Sequence, residues 1–356
     1  MGHRCPSAAT GAKQLLHSAS RMLQTADPTE LVSGYLDESL HLPAGHHVYR
    51  ARRHVFEPSF SETAAGSLSF GMAIGDPEST GADRLQAATG AVRELVRRNF
   101  GSGALGWLDS RTEPARDPYL RNNGADAWLF SGYDRGGMRE ATITYAWGPT
   151  LLDTLPGPVY QVARACMDAL PGLVPAFSTI RAGRSSGSQQ ITFGVGRALA
   201  LAALRPLLDR LGLGHQHASL VGTCGFLLGA RFVLPPDTAL ITIRATRAGI
   251  EFRLDIDLEM LGDLPPEVGS LLQLQLAERP RSVRALERWV AAFTADGEPT
   301  PGSLSVLSVV IRPDLPARVA LYLRPTILDD RDDGRTGDGR GDPAVREPVE
   351  LAGAGR

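Results

Sequence analysis

One stretch concentrates side chains able to handle a charged ligand. Residues 238–246 and 250–258 read as two strands joined by a tight turn at Arg247-Ala248-Gly249. Side chains alternate between the two faces of a strand, so each arm splits into two sets. Ala239, Ile241, Ile243, Ile250, Phe252, Leu254, Ile256 and Leu258 make an apolar face. Thr238, Leu240, Thr242, Arg244, Glu251, Arg253, Asp255 and Asp257 make the other. Arg244 and Arg253 could clamp a phosphate, because the guanidinium fork matches phosphate oxygens. They could equally pair across the ribbon with Glu251 and Asp255. Such a ribbon suits a protein surface or the wall of a wet cavity, and the elements around it decide which.

Further candidates lie on other strands. Arg318, Tyr322 and Arg324 share one strand face and are candidate ligand contacts. Tyr145 and Trp147 fall on an apolar face and read as core. Four other features carry less. The run Asp329-Asp330-Arg331-Asp332-Asp333 is like the metal–diphosphate motif of terpene enzymes, but it sits in a Gly-rich charged stretch and reads as a solvated acidic run. Gly183 to Gly187 lacks the Gly-Lys-Ser/Thr ending of a phosphate loop. Cys224 reads as a small buried residue in a strand. His46, His47, His54, His215 and His217 lack a metal-ligand spacing, so no metal is expected.

Composition narrows the classes. The 356 residues carry a net charge of −2, which gives no electrostatic footprint for nucleic acid or a membrane surface. Lys13 is the only lysine, so arginine must supply any cation the protein uses. That bias, with 39 glycines, points to a GC-rich bacterial genome. Three widely spaced cysteines suggest neither a disulfide framework nor a zinc site. No window approaches a membrane span, and a cytoplasmic location is expected.

Helical periodicity is found at 8–23, 28–40, 83–100, 158–170, 197–211, 265–277 and 281–293. Alternation is found at 46–56, 67–74, 127–133, 138–147, 176–181, 189–194, 304–312 and 317–324, and 219–228 reads as a further strand. Asp134-Arg135-Gly136-Gly137 is a strong hairpin turn. Helix and strand pair therefore alternate about five times. The fold expected is α+β: a closed antiparallel barrel of about ten strands built from repeated αββα units, with helices outside and a polar lumen. An open sheet with one solvated face is the alternative. Residues 1–325 are expected to form one domain and 326–356 a disordered charged tail.

Several fragments, taken in order, resemble the aromatic prenyltransferases of the αββα-barrel type, particularly the dimethylallyltryptophan synthases. They are Phe56-Glu57-Pro58-Ser59-Phe60, the run SLSFGMAIGDPESTGADRLQ from Ser67, Gly132-Tyr133-Asp134 with the strand after it, IEFRLDIDLEMLG from Ile250, and ARVALYLRP from Ala317. The resemblance covers roughly residues 45–325. It implies a lumen that binds a prenyl diphosphate and an aromatic acceptor, with no cofactor, in a monomer or homodimer. It places Glu57 at the family's proton-accepting carboxylate and matches Tyr322 in the last strand, and Arg244, Arg253, Arg318 and Arg324, the available lumen cations, are the candidates to hold the diphosphate with it. The family's inward Lys-x-Tyr and Arg-x-Lys-x-Tyr positions hold Thr142 and Thr144, and Thr238, Leu240 and Thr242, so these threonines are expected to line the lumen. Available lumen cations and carboxylates are expected to balance. The second reading keeps the barrel without prenyl chemistry, as a binding protein or an enzyme of another aromatic or peptide substrate.

Overall fold

The computed structural model describes residues 7–40, 55–76, 79–116, 126–146, 148–246, 249–262, 265, 268–294 and 300–326. Trp147, His46, His47, His54, the 329–333 run and the tail from Ile327 on lie outside the described residues.

Ten strands close into one antiparallel barrel. They come as five hairpins. These are β1 (Phe56–Ser61) with β2 (Leu68–Ala73), β3 (Asp126–Asp134) with β4 (Gly137–Ala146), β5 (Leu173–Gly183) with β6 (Gly187–Val195), β9 (Ala239–Thr246) with β10 (Gly249–Asp257), and β11 (Gly302–Arg312) with β12 (Leu315–Pro325). β1 closes the ring on β12, with Ser59 opposite Tyr322. β6 meets β9 with Thr192 opposite Thr242. A short pair outside the barrel, β7 (Leu199–Ala200) and β8 (Val233–Leu234), makes a two-stranded sheet.

Eight helices are described: α1 (Ala8–Leu23), α2 (Thr29–Ser39), α3 (Gly81–Thr112), α4 (Gly157–Ala169), α5 (Arg205–Arg210), α6 (His217–Leu227), α7 (Val268–Gln275) and α8 (Pro280–Phe293). The period-2 pattern dictates where they pack. Ile143, Ile241, Phe252, Leu254, Ile256, Val309 and Leu321 are buried on the outward strand faces, in one core with Leu16, Leu36, Val92, Leu95 and Trp289 of the helices. The polar strand faces are left pointing inward.

The hairpin turns show local chemistry at work. Asp134 Oδ1 accepts from the Gly136 amide at 2.7 Å, and Gly137 sits at φ 103°, a conformation that favours glycine. Arg184 bridges the next turn back to Asp134 at 2.8 and 2.9 Å, so the 183–187 segment is a hairpin turn tied to its neighbour.

Three expectations are corrected. The segment 219–228 lies in helix α6, not in a strand. Its apolar residues surround the helix, which masks the period, and Leu220, Thr223, Cys224 and Leu227 are the buried residues at i, i+3, i+4 and i+7. The expected helix 197–211 is broken into β7, a 3₁₀ turn at Leu201–Leu204 and α5. Pro206 is the reason: its ring fits only the first turn of a helix, so the α-helix starts there. Finally, α3 runs to Thr112 across a kink at Gly101, whose φ of 80° and ψ of −174° break the helical geometry.

Candidate active site

The barrel encloses a cavity of about 310 Å³. Its charged groups gather at the hairpin-turn end, because Glu140, Arg181, Arg244, Glu251 and Arg312 each stand within a few residues of a turn. The carboxylates organise the arginines. Glu251 on β10 pairs with Arg244 on β9 at 2.7 Å and with Arg312 on β11 at 2.5 Å. Glu140 on β4 pairs with its neighbour Arg139 and, at 2.6 Å, with Arg181 on β5. Arg253 pairs with Asp255 at 2.9 Å, and Asp255 also accepts the Ser308 hydroxyl. At the rim, Glu62 holds Arg279 and Arg318, each at 2.9 Å.

Five arginines therefore line the cavity, Arg139, Arg181, Arg244, Arg253 and Arg312, against two carboxylates, Glu140 and Glu251. The expected charge balance is corrected by this count, and the lining carries three surplus positive charges. The Nε–H groups of Arg139, Arg244 and Arg253 are buried without a hydrogen-bond partner among the described residues. Unused guanidinium donors in a closed space favour an anion, since a buried donor left unmade is costly.

The electrostatics follow from these contacts. Burial pushes the Glu251 carboxyl up, but Arg244 and Arg312 outweigh it and hold it below its usual value. Burial pulls the Arg253 guanidinium down, but Asp255, Tyr322 and Glu251 outweigh that and raise it. Burial lowers Arg181, with Glu140 opposing.

The rest of the lining is aromatic and hydroxylated. Trp128 and Phe177 meet edge to face at 5.9 Å, and Phe130 and Tyr322 do so at 6.4 Å. Thr142, Thr144, Thr179 and Thr192 supply hydroxyls, with Thr144 to Thr179 at 2.9 Å, and the buried Thr242 backs Thr192 at 2.8 Å. Such walls can surround a planar or cationic hydrocarbon.

The sequence candidates divide accordingly. Arg244, Arg253, Tyr322, Thr142 and Thr144 meet in the cavity. Thr242 is buried outside its lining, with its hydroxyl 2.8 Å from that of Thr192. Arg318 is drawn to Glu62 at the rim, and Arg324 does not line the cavity. The Thr238 hydroxyl donates to the Pro235 carbonyl at 2.8 Å, away from the lining. Glu57 is buried on β1 beyond Ser59, with the Ser305 hydroxyl 3.5 Å from its Oε1. Tyr145 is core, its hydroxyl 3.0 Å from Thr89. Cys224 is buried in α6 with its thiol pushed up to about 12 by burial, which makes it inert. Among the described residues no group of His, Cys, Asp or Glu could hold a metal. No described helix is long and apolar enough to cross a membrane.

Sequence reasoning missed Arg139, Arg181 and Arg312. Arg181 was legible in principle, since it shares a strand face with Phe177 and Thr179.

Solved structures share this architecture. The 6-dimethylallyltryptophan synthase from Micromonospora olivasterospora, in complex with DMASPP and Trp, superposes with a TM-score of 0.70 at 15% identity, covering 91% of this chain and 98% of that one. The PriB binary complex with product diphosphate gives 0.68 at 17% identity, over 91% and 98%. The 5-dimethylallyltryptophan synthase from Streptomyces coelicolor gives 0.63 at 18% identity, over 92% and 100%. The chain has the fold of the aromatic prenyltransferases. No protein-family model and no curated protein matches the sequence. In this barrel Thr142 and Thr144 line the cavity, and arginines near the strand ends supply its cations.

Proposed function

We propose that the protein is an aromatic prenyltransferase, moving a dimethylallyl or longer prenyl group from its diphosphate to an indole, tryptophan-like or other aromatic acceptor. The observation that carries this reading is a cavity inside the barrel with an arginine-rich end and an aromatic wall. Structures of the same fold hold DMASPP with Trp, or product diphosphate. Residues up to 325 act here as one catalytic domain, in the bacterial cytoplasm and in secondary metabolism.

The chemistry divides along the cavity. Arg139, Arg181, Arg244, Arg253 and Arg312 hold the diphosphate and stabilise the charge it gains as the allylic C–O bond breaks and the electron pair leaves with oxygen. Trp128, Phe130, Phe177 and Tyr322 screen the allylic cation from water and attract it through their ring faces. The acceptor ring attacks the cation, a carbon–carbon bond forms, and the ring then loses a proton. Glu57, buried at the far end of β1, is the proposed acceptor of that proton. The threonine hydroxyls of β4, β5 and β6 position the acceptor.

Incubation with dimethylallyl and geranyl diphosphate and a panel of tryptophan derivatives tests the proposal, with product followed by mass spectrometry. A mass gain of one prenyl unit is expected, and no turnover together with no diphosphate binding overturns it.

A second reading has its own observation. Each cavity arginine is already engaged by Glu140, Glu251 or Asp255. A barrel that binds an aromatic ligand without prenyl chemistry would look the same. Pyrophosphate separates the two: a rise in melting temperature supports transfer, because a ligand bound only to the native state stabilises it.

A further inference from the structure

Glu251 is placed where a ligand phosphate should go. It lies on β10 between Arg244 of β9 and Arg312 of β11, its side chain 11% exposed and its two oxygens taken at 2.7 and 2.5 Å. Arg244 is 13% exposed and Arg312 31%, and all three line the cavity. A carboxylate gripped by two guanidiniums reproduces the contacts that a phosphate oxygen pair would make with the same forks.

We propose that Glu251 is an internal anion that occupies the diphosphate-binding arginines in the empty protein, and that an incoming diphosphate displaces it with uptake of one proton from solvent. The inference rests on the proposed diphosphate site and adds what sets its affinity and its pH dependence.

The physical reason is competition for the same donors. When a diphosphate takes the Nη groups of Arg244 and Arg312, Glu251 loses the partners that keep it ionised while remaining in a largely buried place. A carboxylate left there beside a newly arrived anion is destabilised by burial and by like charge, and protonation relieves both. The sign agrees with the free protein, in which burial raises the Glu251 carboxyl and the two arginines reverse the effect. Charged neighbours face Glu251 from several strands. Arg244 comes from β9, Arg312 from β11, Arg253 from β10 itself and Arg181 from β5, and Glu140 of β4 reaches it through Arg181. Gln190 of β6 stands opposite Arg244 and carries no charge. Glu140 makes the corresponding pairing with Arg139 and Arg181, but only Glu251 interacts with Arg253 as well.

Inorganic pyrophosphate is the probe, titrated calorimetrically into the full chain near neutral pH in two buffers of different ionisation enthalpy. The difference in heat gives the protons taken up. Uptake of close to one proton by the wild type is expected, and its disappearance in Glu251→Gln. That variant should also bind pyrophosphate at least tenfold more tightly, since protonating near neutral pH a carboxyl held below its usual value costs more than one pH unit, each unit being a factor of ten. Pyrophosphate binding without proton uptake overturns this inference alone. So does a folded Glu251→Gln that binds no better than wild type. The wild-type measurement stands even if the variant fails to fold. No pyrophosphate binding at all overturns both this inference and the proposed function.

Discussion

Gly71 on β2 lies beneath the ring of Phe130 on β3: a Cβ built at Gly71 would come within 2.4 Å of the Phe130 Cε1 atom. The two residues are paired across the hairpin boundary, so glycine is what allows the aromatic ring to lie flat against the barrel wall and face Tyr322. Gly71→Ala is expected to push Phe130 into the cavity. A loss of about 1–3 kcal/mol is expected from overpacking, read by urea denaturation. Pyrophosphate affinity should change less than acceptor affinity, because the arginines lie on other strands. Unaltered stability together with an unaltered cavity would contradict the account.

Asp255 is buried and Arg253, 24% exposed, is its partner, so each half of the couple protects the other. Removing one leaves the other charged and out of water. Arg253→Ala is therefore expected to cost about 3–5 kcal/mol, and the double replacement Arg253→Ala with Asp255→Ala to cost less than the sum of the singles. Denaturant midpoints on the four proteins measure the coupling. Additive effects would show that the pair is not a unit.

Glu251 also sets an acid limit on the fold. Its carboxyl is held below the usual 4.5 in the native state. A depressed folded value contributes stability above the unfolded value, and that contribution is lost as pH falls from about 4.5 through the folded value. Glu251→Gln should flatten the stability–pH curve in this acid window and leave its slope above it unchanged. An unchanged acid slope would count against the arginine clamp.

Cys166 and Cys224 are both buried, with thiols pushed up to about 12. Neither should react with a thiol reagent at pH 8 in the native protein, and both should react in denaturant, since the thiolate is the reactive form. Peptide mass spectrometry after labelling reads each site separately. Fast native labelling of Cys224 would contradict its place in α6.

Much of the barrel is legible because two signals coincide. Thr142, Thr144, Thr242 and Arg244 alternate with Ala141, Ile143, Ile241 and Ile243, and glycine-bearing turns set the strand ends. The 217–227 helix is hidden for a physical reason. Leu220, Val221, Phe226 and Leu227 spread around its axis and Gly222 and Gly225 dilute its propensity, so neither period stands out. Gly225 earns its place by packing, because a Cβ there would meet the Phe232 ring at 2.3 Å. The arginines divide in a similar way. Arg244 and Arg253 lie inside clear alternation. Arg181 continues the alternation of Phe177 and Thr179, whereas Arg312 is the last residue of β11, where the sequence alone does not show whether the pleat continues. Arg139 reaches the cavity from the strand position next to Glu140, against the alternation, which no sequence pattern reports.

In the proposed enzyme the strand-end arginines hold the diphosphate in place of the family's lysines and tyrosines. Calorimetric titration of pyrophosphate into wild type, Arg181→Ala and Arg312→Ala tests it most directly. Binding to the wild type and at least tenfold weaker binding to each variant, with melting temperatures near wild type, is the predicted result. Pyrophosphate bound equally well by all three proteins would contradict it.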